Sequence, residues 1–489
     1  MKSLGILRST PSNPADGLEL TSWLFLRLLA LIYFIAFVSL AGQLAGLAGP
    51  QGILPFESYL ADVEAGLDLP ASWFWLPTLF WWTGASDLML QGAAYLGVLL
   101  SLLLLFVRWE RPVLIALFLI YLSLYHAGQV FTNFQWDTLL LESGFLAIFL
   151  VGGVNRLLIL LFEWLLFRLR FMSGFFKLFS GDPSWTGFTT LNHYFETQPL
   201  PHTGAWYAHQ LPDWLLMSGV GFTLFTELIV PFFIFLPRPF RLAAAAITLL
   251  MQLLIIATSN HNFINLLTIV LCLFLLDDRI VGRLLPASIR KRITERPQPP
   301  SRPKSLLISM AGLLIVPASL IGFTSQVMYE PLPAPIVSIY DSVRRFGIGN
   351  IYHVYPTMQT QRQELIIQGS LDGKEWKTYE FKFKPGDPAR RPRFIVPHQP
   401  RLDWMVWFVP TQQPIQMYWF DKFMQRLHQG SPNVTALLAV DPFADQPPRY
   451  LRVQAYRYEF TDAATRKKSG AWWRVSYLGQ FPQVPPRRP

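Results

Sequence analysis

Lys177 stands near the end of an almost unbroken apolar stretch, in Arg168-Leu-Arg-Phe-Met-Ser-Gly-Phe-Phe-Lys177-Leu-Phe-Ser-Gly-Asp-Pro-Ser-Trp185. An amine in such a place has two fates. It reaches along its own methylene stem to a wet surface, or apolar surroundings disfavour its charged form and leave a neutral amine to act as base or nucleophile. Gly174, one turn earlier, admits close approach of a neighbouring element. A second cluster runs from Tyr125 to Asp137 and on to Glu142, and supplies His126, Asn133, Gln135, Asp137 and Glu142. Polar groups at membrane depth cost several kcal/mol when unpaired, so these either bond helix to helix or face a wet cavity. A third cluster is Asn192-His-Tyr-Phe-Glu-Thr-Gln-Pro-Leu-Pro-His202, continuing to Trp206 and His209. Its His193, Glu196, His202 and His209 fit no helical ligand pair or zinc signature, so we expect no metal and read the loop as a lid over a membrane cavity. Glu227, Asn260, His261 and Asn265 are further polar groups on apolar segments that converge on the same place.

The elements that position these residues are long apolar runs. The 489 residues are 52% hydrophobic and 15% aromatic. A spanning helix needs roughly 20 apolar residues, and nine candidates appear: 23–48, 88–107, 113–131, 138–151, 157–179, 214–236, 242–259, 263–276 and 306–323. The fourth is short, so 138–179 alternatively holds a re-entrant or interfacial element. Every second connection lacks Lys and Arg: 49–87, 131–138, 180–213 and 259–264. The others carry Lys2 and Arg8, Arg108 and Arg111, Arg156, Arg238 and Arg241, and the basic stretch from Arg279 to Lys304. Short cytoplasmic loops retain positive charge, so this alternation sets the N-terminus inside and the C-terminus outside. The first apolar run is too long for a cleaved signal and reads as a retained helix.

The expected organisation is a cytoplasmic N-terminus (1–22), a polytopic α-helical bundle (23–323), a Pro-rich connector (324–350) and an extracytoplasmic β-rich domain (351–489). In that last part the apolar pattern switches to period two, as in Trp376 to Lys384 and Trp473 to Tyr477, and Asp372-Gly373 signals a hairpin. Gln416 to His428 and Val434 to Val440 read as helical. The expected fold of this part is therefore an antiparallel β-sandwich with one or two helices, with Trp376 covering its core. From 329 onward 22 basic and 13 acidic residues leave a surplus of nine positive charges. On a translocated domain that surplus suits acidic clients, anionic headgroups or plain solvated surface rather than nucleic acid. Arg401 and Asp403 are spaced for an internal ion pair. The single cysteine, Cys272, lies in an apolar run, so no disulfide forms within the chain. No triad, phosphate loop or dinucleotide fingerprint is present, which argues against common hydrolase and nucleotide chemistries.

Several blocks together resemble the lipase maturation factor family. They are His193-Tyr-Phe-Glu-Thr-Gln-Pro-Leu-Pro201, Asn262-Phe-Ile-Asn-Leu-Leu-Thr268 with Leu276-Asp-Asp278, Tyr379-Glu-Phe-Lys-Phe-Lys-Pro-Gly-Asp-Pro388, Arg401-Leu-Asp-Trp404, Asp441-Pro-Phe443, Tyr456-Arg-Tyr-Glu-Phe460 and Trp472-Trp-Arg474. The resemblance covers about residue 20 to 480. It implies a membrane-anchored, chaperone-like factor, without cofactor, that helps secreted lipases or related hydrolases fold and assemble. Client contact would fall to the C-terminal domain, where Lys384, Arg390, Arg391, Arg401, Asp403, Trp404 and Trp407 are the candidate residues. The ends carry no retention tetrapeptide, which points to a bacterial inner membrane. Phe171-Met-Ser-Gly-Phe-Phe-Lys-Leu, with Asp182 and Trp185, also looks like the segment of vitamin K-dependent gamma-carboxylases, members of the HTTM group, that carries their catalytic lysine. That second resemblance implies an alternative: a membrane enzyme with Lys177 as base on a quinone-like or lipid ligand.

Overall fold

A chain crossing hydrocarbon must satisfy its peptide groups internally, so the apolar runs fold as helices. The structure, a computed structural model, describes residues 17–294, 301–328 and 330–482; Lys2 and Arg8 lie outside them. The bundle is built from Glu19–Ala41 (α1), Asp87–Leu104 (α2), Glu110–Ala127 (α3), Gln135–Ile148 (α4), Arg156–Phe179 (α5), Asp213–Leu228 (α6), Arg238–Thr258 (α7), Ile264–Leu271 (α8) and Arg302–Val327 (α9). Among the described residues six of these are long and apolar enough to cross a membrane: α1, α2, α3, α6 with its 3₁₀ extension to Phe235, α7 and α9. The nine expected spans reduce to six on these criteria for physical reasons. The 14 residues of α4 rise only about 21 Å, α8 with its 3₁₀ extension ends at Leu275, and α5 carries Glu163, Arg168, Arg170 and Lys177.

Both ends of the bundle are sealed by polar contacts. At one end Asp278 accepts from the Leu20 and Thr21 amides at 2.9 Å, Arg238 pairs with Asp277 at 2.5 Å, Arg111 donates to the Val151 carbonyl at 2.5 Å and Lys304 donates to the Val151 carbonyl at 3.2 Å. The basic connections thus gather together. The C-terminal part sits on the opposite end. The helices Leu69–Trp75 and Phe80–Thr83 expose Trp73, Phe74, Trp75 and Trp82, aromatics of the kind that favour a membrane–water boundary.

The C-terminal part has one four-stranded antiparallel sheet among the described residues, where a sandwich was expected. Its strands are Arg362–Ser370 (β1), Lys377–Thr378 (β2), Tyr450–Phe460 (β3) and Trp473–Phe481 (β4), in the order β2-β1-β3-β4. The turn after β1 follows the expected hairpin, with Gly373 at φ 75° and Asp372 accepting from the Lys374 and Glu375 amides. Alternation from Trp376 to Lys384 does not make a long strand. After Thr378 only Glu380 bridges, to Val440, and the segment turns inward. Trp376 is half-buried with the Arg452 guanidinium 4.0 Å over its ring, and does not cover the core. Helices take the place of a second sheet: Pro414–His428 puts Trp419, Phe420, Phe423 and Leu427 into the core, as its periodicity indicates, while the helix expected at 434–440 shrinks to Pro432–Thr435.

This core is not confined to the C-terminal part. Leu47, Ile53, Leu54 and Phe131, from connections between bundle helices, are buried with Leu365, Ile367, Phe423 and Val453. Phe195, Trp206 and Leu216 are buried with Tyr458, Phe460 and Trp473. In the Pro-rich connector Ala334–Arg344 is helical and Asn350 is buried.

Candidate functional site

Segment 345–358 runs across the end of the bundle as a strap, held down by several of the polar side chains expected to line a cavity, among them His126, Gln135 and Glu142. His126 Nε2 lies 2.9 Å from the Arg345 carbonyl. Gln135 donates to the His353 carbonyl, Ser180 to the Pro356 carbonyl at 2.8 Å, and Asp182 accepts from the Met358 amide at 2.6 Å. Glu142 and Arg168 form an ion pair with no side-chain exposure. Arg168 also donates to the Asn350 carbonyl at 2.8 Å, and the Tyr352 hydroxyl donates to Glu142 at 3.1 Å. Such groups are engaged on the strap. Asn133 is exposed and accepts from Tyr125.

Asp137 is likewise committed, to Arg401 at 2.6 and 2.7 Å and to Tyr121 at 2.7 Å. The expected Arg401–Asp403 pair is replaced by this contact, and Asp403 accepts instead from the amides of Phe383 and Lys384. Burial pushes the Asp403 carboxyl up from its usual range, against the pull of those amides. Lys384 pairs with Glu364 at 2.8 Å and is buried. Trp404 is buried between Trp136 and His261, and Trp407 donates to the Thr197 carbonyl at 2.7 Å. Arg390, half-buried, donates to the Phe381 and Lys384 carbonyls. Of the seven candidate client-binding residues only Arg391 is exposed. Dense aromatic and charged residues read as a contact surface because the same composition serves an internal joint, and only the fold tells which.

The histidine loop does cover a cavity. It forms the helices Thr190–Thr197 and Thr203–His209, and it is fixed rather than hinged. Arg362, which the sequence reading passed over, is fully buried on β1 and donates to the carbonyls of Glu196, Gln198 and Pro199. Glu196 accepts from the Phe460 amide at 2.9 Å and lies 3.7 Å from His209, whose ring is held below its usual value by burial and, secondarily, by nearby His193. Asn260 donates to the carbonyls of Leu200 and Arg393. Among the described residues no three His, Cys, Asp or Glu side chains converge as metal ligands.

His202 Nδ1 accepts from the Gly204 amide at 2.9 Å, and burial lowers the ring from 6.5 to about 4. Between these values the unfolded chain binds more protons than the folded one, so stability rises with pH. We expect the loop to loosen as pH falls from about 6.5 toward 4, read as faster amide exchange over 200–209, and to show a weaker dependence in His202→Gln, where only His209 remains to titrate in that segment. Exchange independent of pH in that window, after correction for the intrinsic rate, would contradict the neutral buried ring.

Beneath the loop lies a cavity of about 510 Å³, within the roughly 300–1,000 Å³ of small-molecule sites. Its lid is Leu191, Tyr194, Phe195 and Ala208, its floor α5, α6, α7 and α8, and its rim the strap residues Val354 and Tyr355. Of the expected cavity residues Lys177, Glu227, His261 and Asn265 line it. Lys177 does not reach a wet surface: its side chain is 4% exposed. Its Nζ meets Glu227 at 2.7 Å, the Val354 carbonyl at 2.7 Å and the Ser173 carbonyl at 3.3 Å, with the Trp185 ring at 5.0 Å. An ammonium has three donors and no lone pair, so this environment suits a protonated lysine. Gly174 permits the pairing, since a Cβ there would stand 2.7 Å from Glu227 Cβ. Glu227 also faces Arg170 at 3.6 Å. Arg170 was missed, though its seven-residue spacing from Lys177 puts both on one face of α5.

The family model of the lipase maturation factor transmembrane domain matches residues 20–283, and that of the lipase maturation factor C-terminal domain matches 348–483. Lipase maturation factor 1 of Mus musculus is 34% identical over 99% of this chain and 90% of its own. That of Bos taurus is 33% identical over 98% and 91%. Lipase maturation factor 2 of Xenopus tropicalis is 32% identical over 92% and 80%. No solved structure matches. A bundle and a C-terminal part that share their cores, and that match two consecutive domains of one family along nearly the whole chain, make this protein an integral membrane member of the lipase maturation factor family.

Proposed function

We propose that the chain is a membrane-anchored maturation factor for secreted lipases or related secreted hydrolases, engaging its client through the C-terminal part. The observation that carries this reading is the match of both parts, in order and nearly end to end, to lipase maturation factors. All nine bundle helices traverse the bilayer in this reading, the short α4 and α8 and the charged Arg168, Arg170 and Lys177 of α5 being screened from lipid by the rest of the bundle. The N-terminus is inside and the C-terminal part is extracytoplasmic, across a bacterial inner membrane. The gathering of basic connections at the end of the bundle away from that part supports this sidedness.

With Lys384, Arg401, Asp403 and Trp404 buried, client contact falls to what stays exposed. Arg391, then Lys467 and Lys468 on the helix Ala463–Ser469, and Arg474 and Tyr477 on β4 are exposed, and β4 is an edge strand of the sheet. An edge strand with free peptide groups and positive charge suits an extended, acidic segment of an incompletely folded client. The triple variant Lys467→Glu, Lys468→Glu, Arg474→Glu is expected to reduce co-purification of newly made lipase about tenfold, with membrane levels and thermal stability of the factor unchanged. Undiminished capture would place client contact elsewhere. The enzyme alternative draws on the position of Lys177 in the cavity, yet a lysine with its three donors engaged is poorly disposed to act as a base.

A further inference from the structure

The cavity beneath the histidine loop has a charged wall and an apolar remainder, and the two do not balance. Arg170 and Lys177 on α5 face Glu227 on α6, two cations against one carboxylate. Arg170 is 6% exposed, and its Nε and Nη2 have no hydrogen-bond partner among the described residues. The Tyr355 hydroxyl, Trp185 Nε1 and Asn265 Oδ1, all on the cavity, are also unpartnered there. Buried donors are almost always satisfied, and an uncompensated positive charge at membrane depth is costly. The missing partner is therefore an acceptor that carries about one negative charge.

The rest of the cavity says what accompanies that acceptor. Opposite the charged wall the lining is mostly apolar, and three of its residues, Leu211, Leu215 and Leu254, are exposed, at 42, 38 and 48%. The cavity thus opens sideways, between the start of α6 and the end of α7, onto the surface that faces lipid. A ligand entering there arrives from the bilayer and brings an apolar chain.

We propose that this cavity is a binding site for a single-chain anionic amphiphile, its carboxylate or phosphate monoester on Arg170 and its hydrocarbon chain running to the mouth between α6 and α7. The site is distinct from client contact on the C-terminal part, so either reading stands or falls alone. Two sources share this chemistry, a free fatty acid and a phosphate-monoester lipid such as lysophosphatidate.

The test uses the full-length protein in a neutral detergent. Organic extraction and mass spectrometry of the purified chain, together with equilibrium binding of radiolabelled oleate, oleoyl lysophosphatidate and neutral monooleoylglycerol, read occupancy and charge preference. The expected result is saturable binding of one anionic amphiphile per chain, at least about tenfold tighter than monooleoylglycerol, with oleate or lysophosphatidate ranking first according to the source. Arg170→Gln reduces that preference about tenfold and leaves the monooleoylglycerol affinity in place. Because Arg170→Gln itself bears on the bundle, Leu215→Trp at the exposed mouth is the second variant, and it lowers binding of all three probes while the melting temperature holds. No saturable binding to the wild-type chain overturns the proposal. So does equal affinity for charged and neutral probes, or anion binding untouched by both variants.

Discussion

Arg401→Met is expected to cost about 3–5 kcal/mol of stability, because it leaves the Asp137 carboxylate buried with only the Tyr121 hydroxyl for a partner. The pair joins the start of α4 to the C-terminal part, and Arg401 also donates to the Phe131 carbonyl at 3.1 Å. The loss should be read as a drop in the unfolding temperature of the detergent-solubilised protein, with proteolytic cleavage appearing between the bundle and the sheet. The double variant Asp137→Asn, Arg401→Met removes both charges, and should recover a substantial part of the loss, since an orphaned charge rather than a lost attraction makes the single change severe. A single variant within about 1 kcal/mol of wild type would mean that the pair behaves as a solvated surface contact.

The second large effect belongs to Arg168→Met. Arg168 and Glu142 are fully buried, and between them they hold the Asn350 carbonyl and the Tyr352 hydroxyl, so the strap loses its central attachment when the guanidinium goes. A cost of about 3–5 kcal/mol is again expected, concentrated on the strap: amides of 345–358 should exchange with solvent well before those of α5. Because Val354 and Tyr355 form the rim of the cavity, an amphiphile bound there should also be lost. Strap amides as protected as in wild type would show that the strap rests on its other attachments, at His126, Gln135, Lys177, Ser180 and Asp182.

Much of this molecule was readable from residue order. Apolar runs and the rhythm of basic loops gave the bundle and the separation of its two ends, since both follow from the transfer of groups between water and lipid. Gly174 as a point of close approach and the lid over a cavity were also legible, the first because only glycine leaves room for Glu227 Cβ. What the sequence did not reveal is which polar groups partner which. His126, Gln135 and Glu142 look like cavity residues, yet each binds segment 345–358, about two hundred positions away. Arg401, Trp404 and Lys384 look like an exposed contact surface and are internal, because residues that fasten a soluble sheet to a membrane bundle have the same mixed character as those that grip a partner. The sandwich expectation failed for a related reason. Part of the sheet's covering comes from Leu47, Ile53, Leu54 and Phe131 in the bundle's own connections and part from the helix Pro414–His428, so a second sheet is not needed.

The most direct measurement is the specific activity, per mass of exported protein, of a secreted lipase made in cells without any maturation factor, with and without this chain in the membrane. The account predicts that activity per mass rises severalfold when the chain is present, and falls back with Arg401→Met at matched membrane levels. Activity per mass that is the same with and without the chain would contradict it.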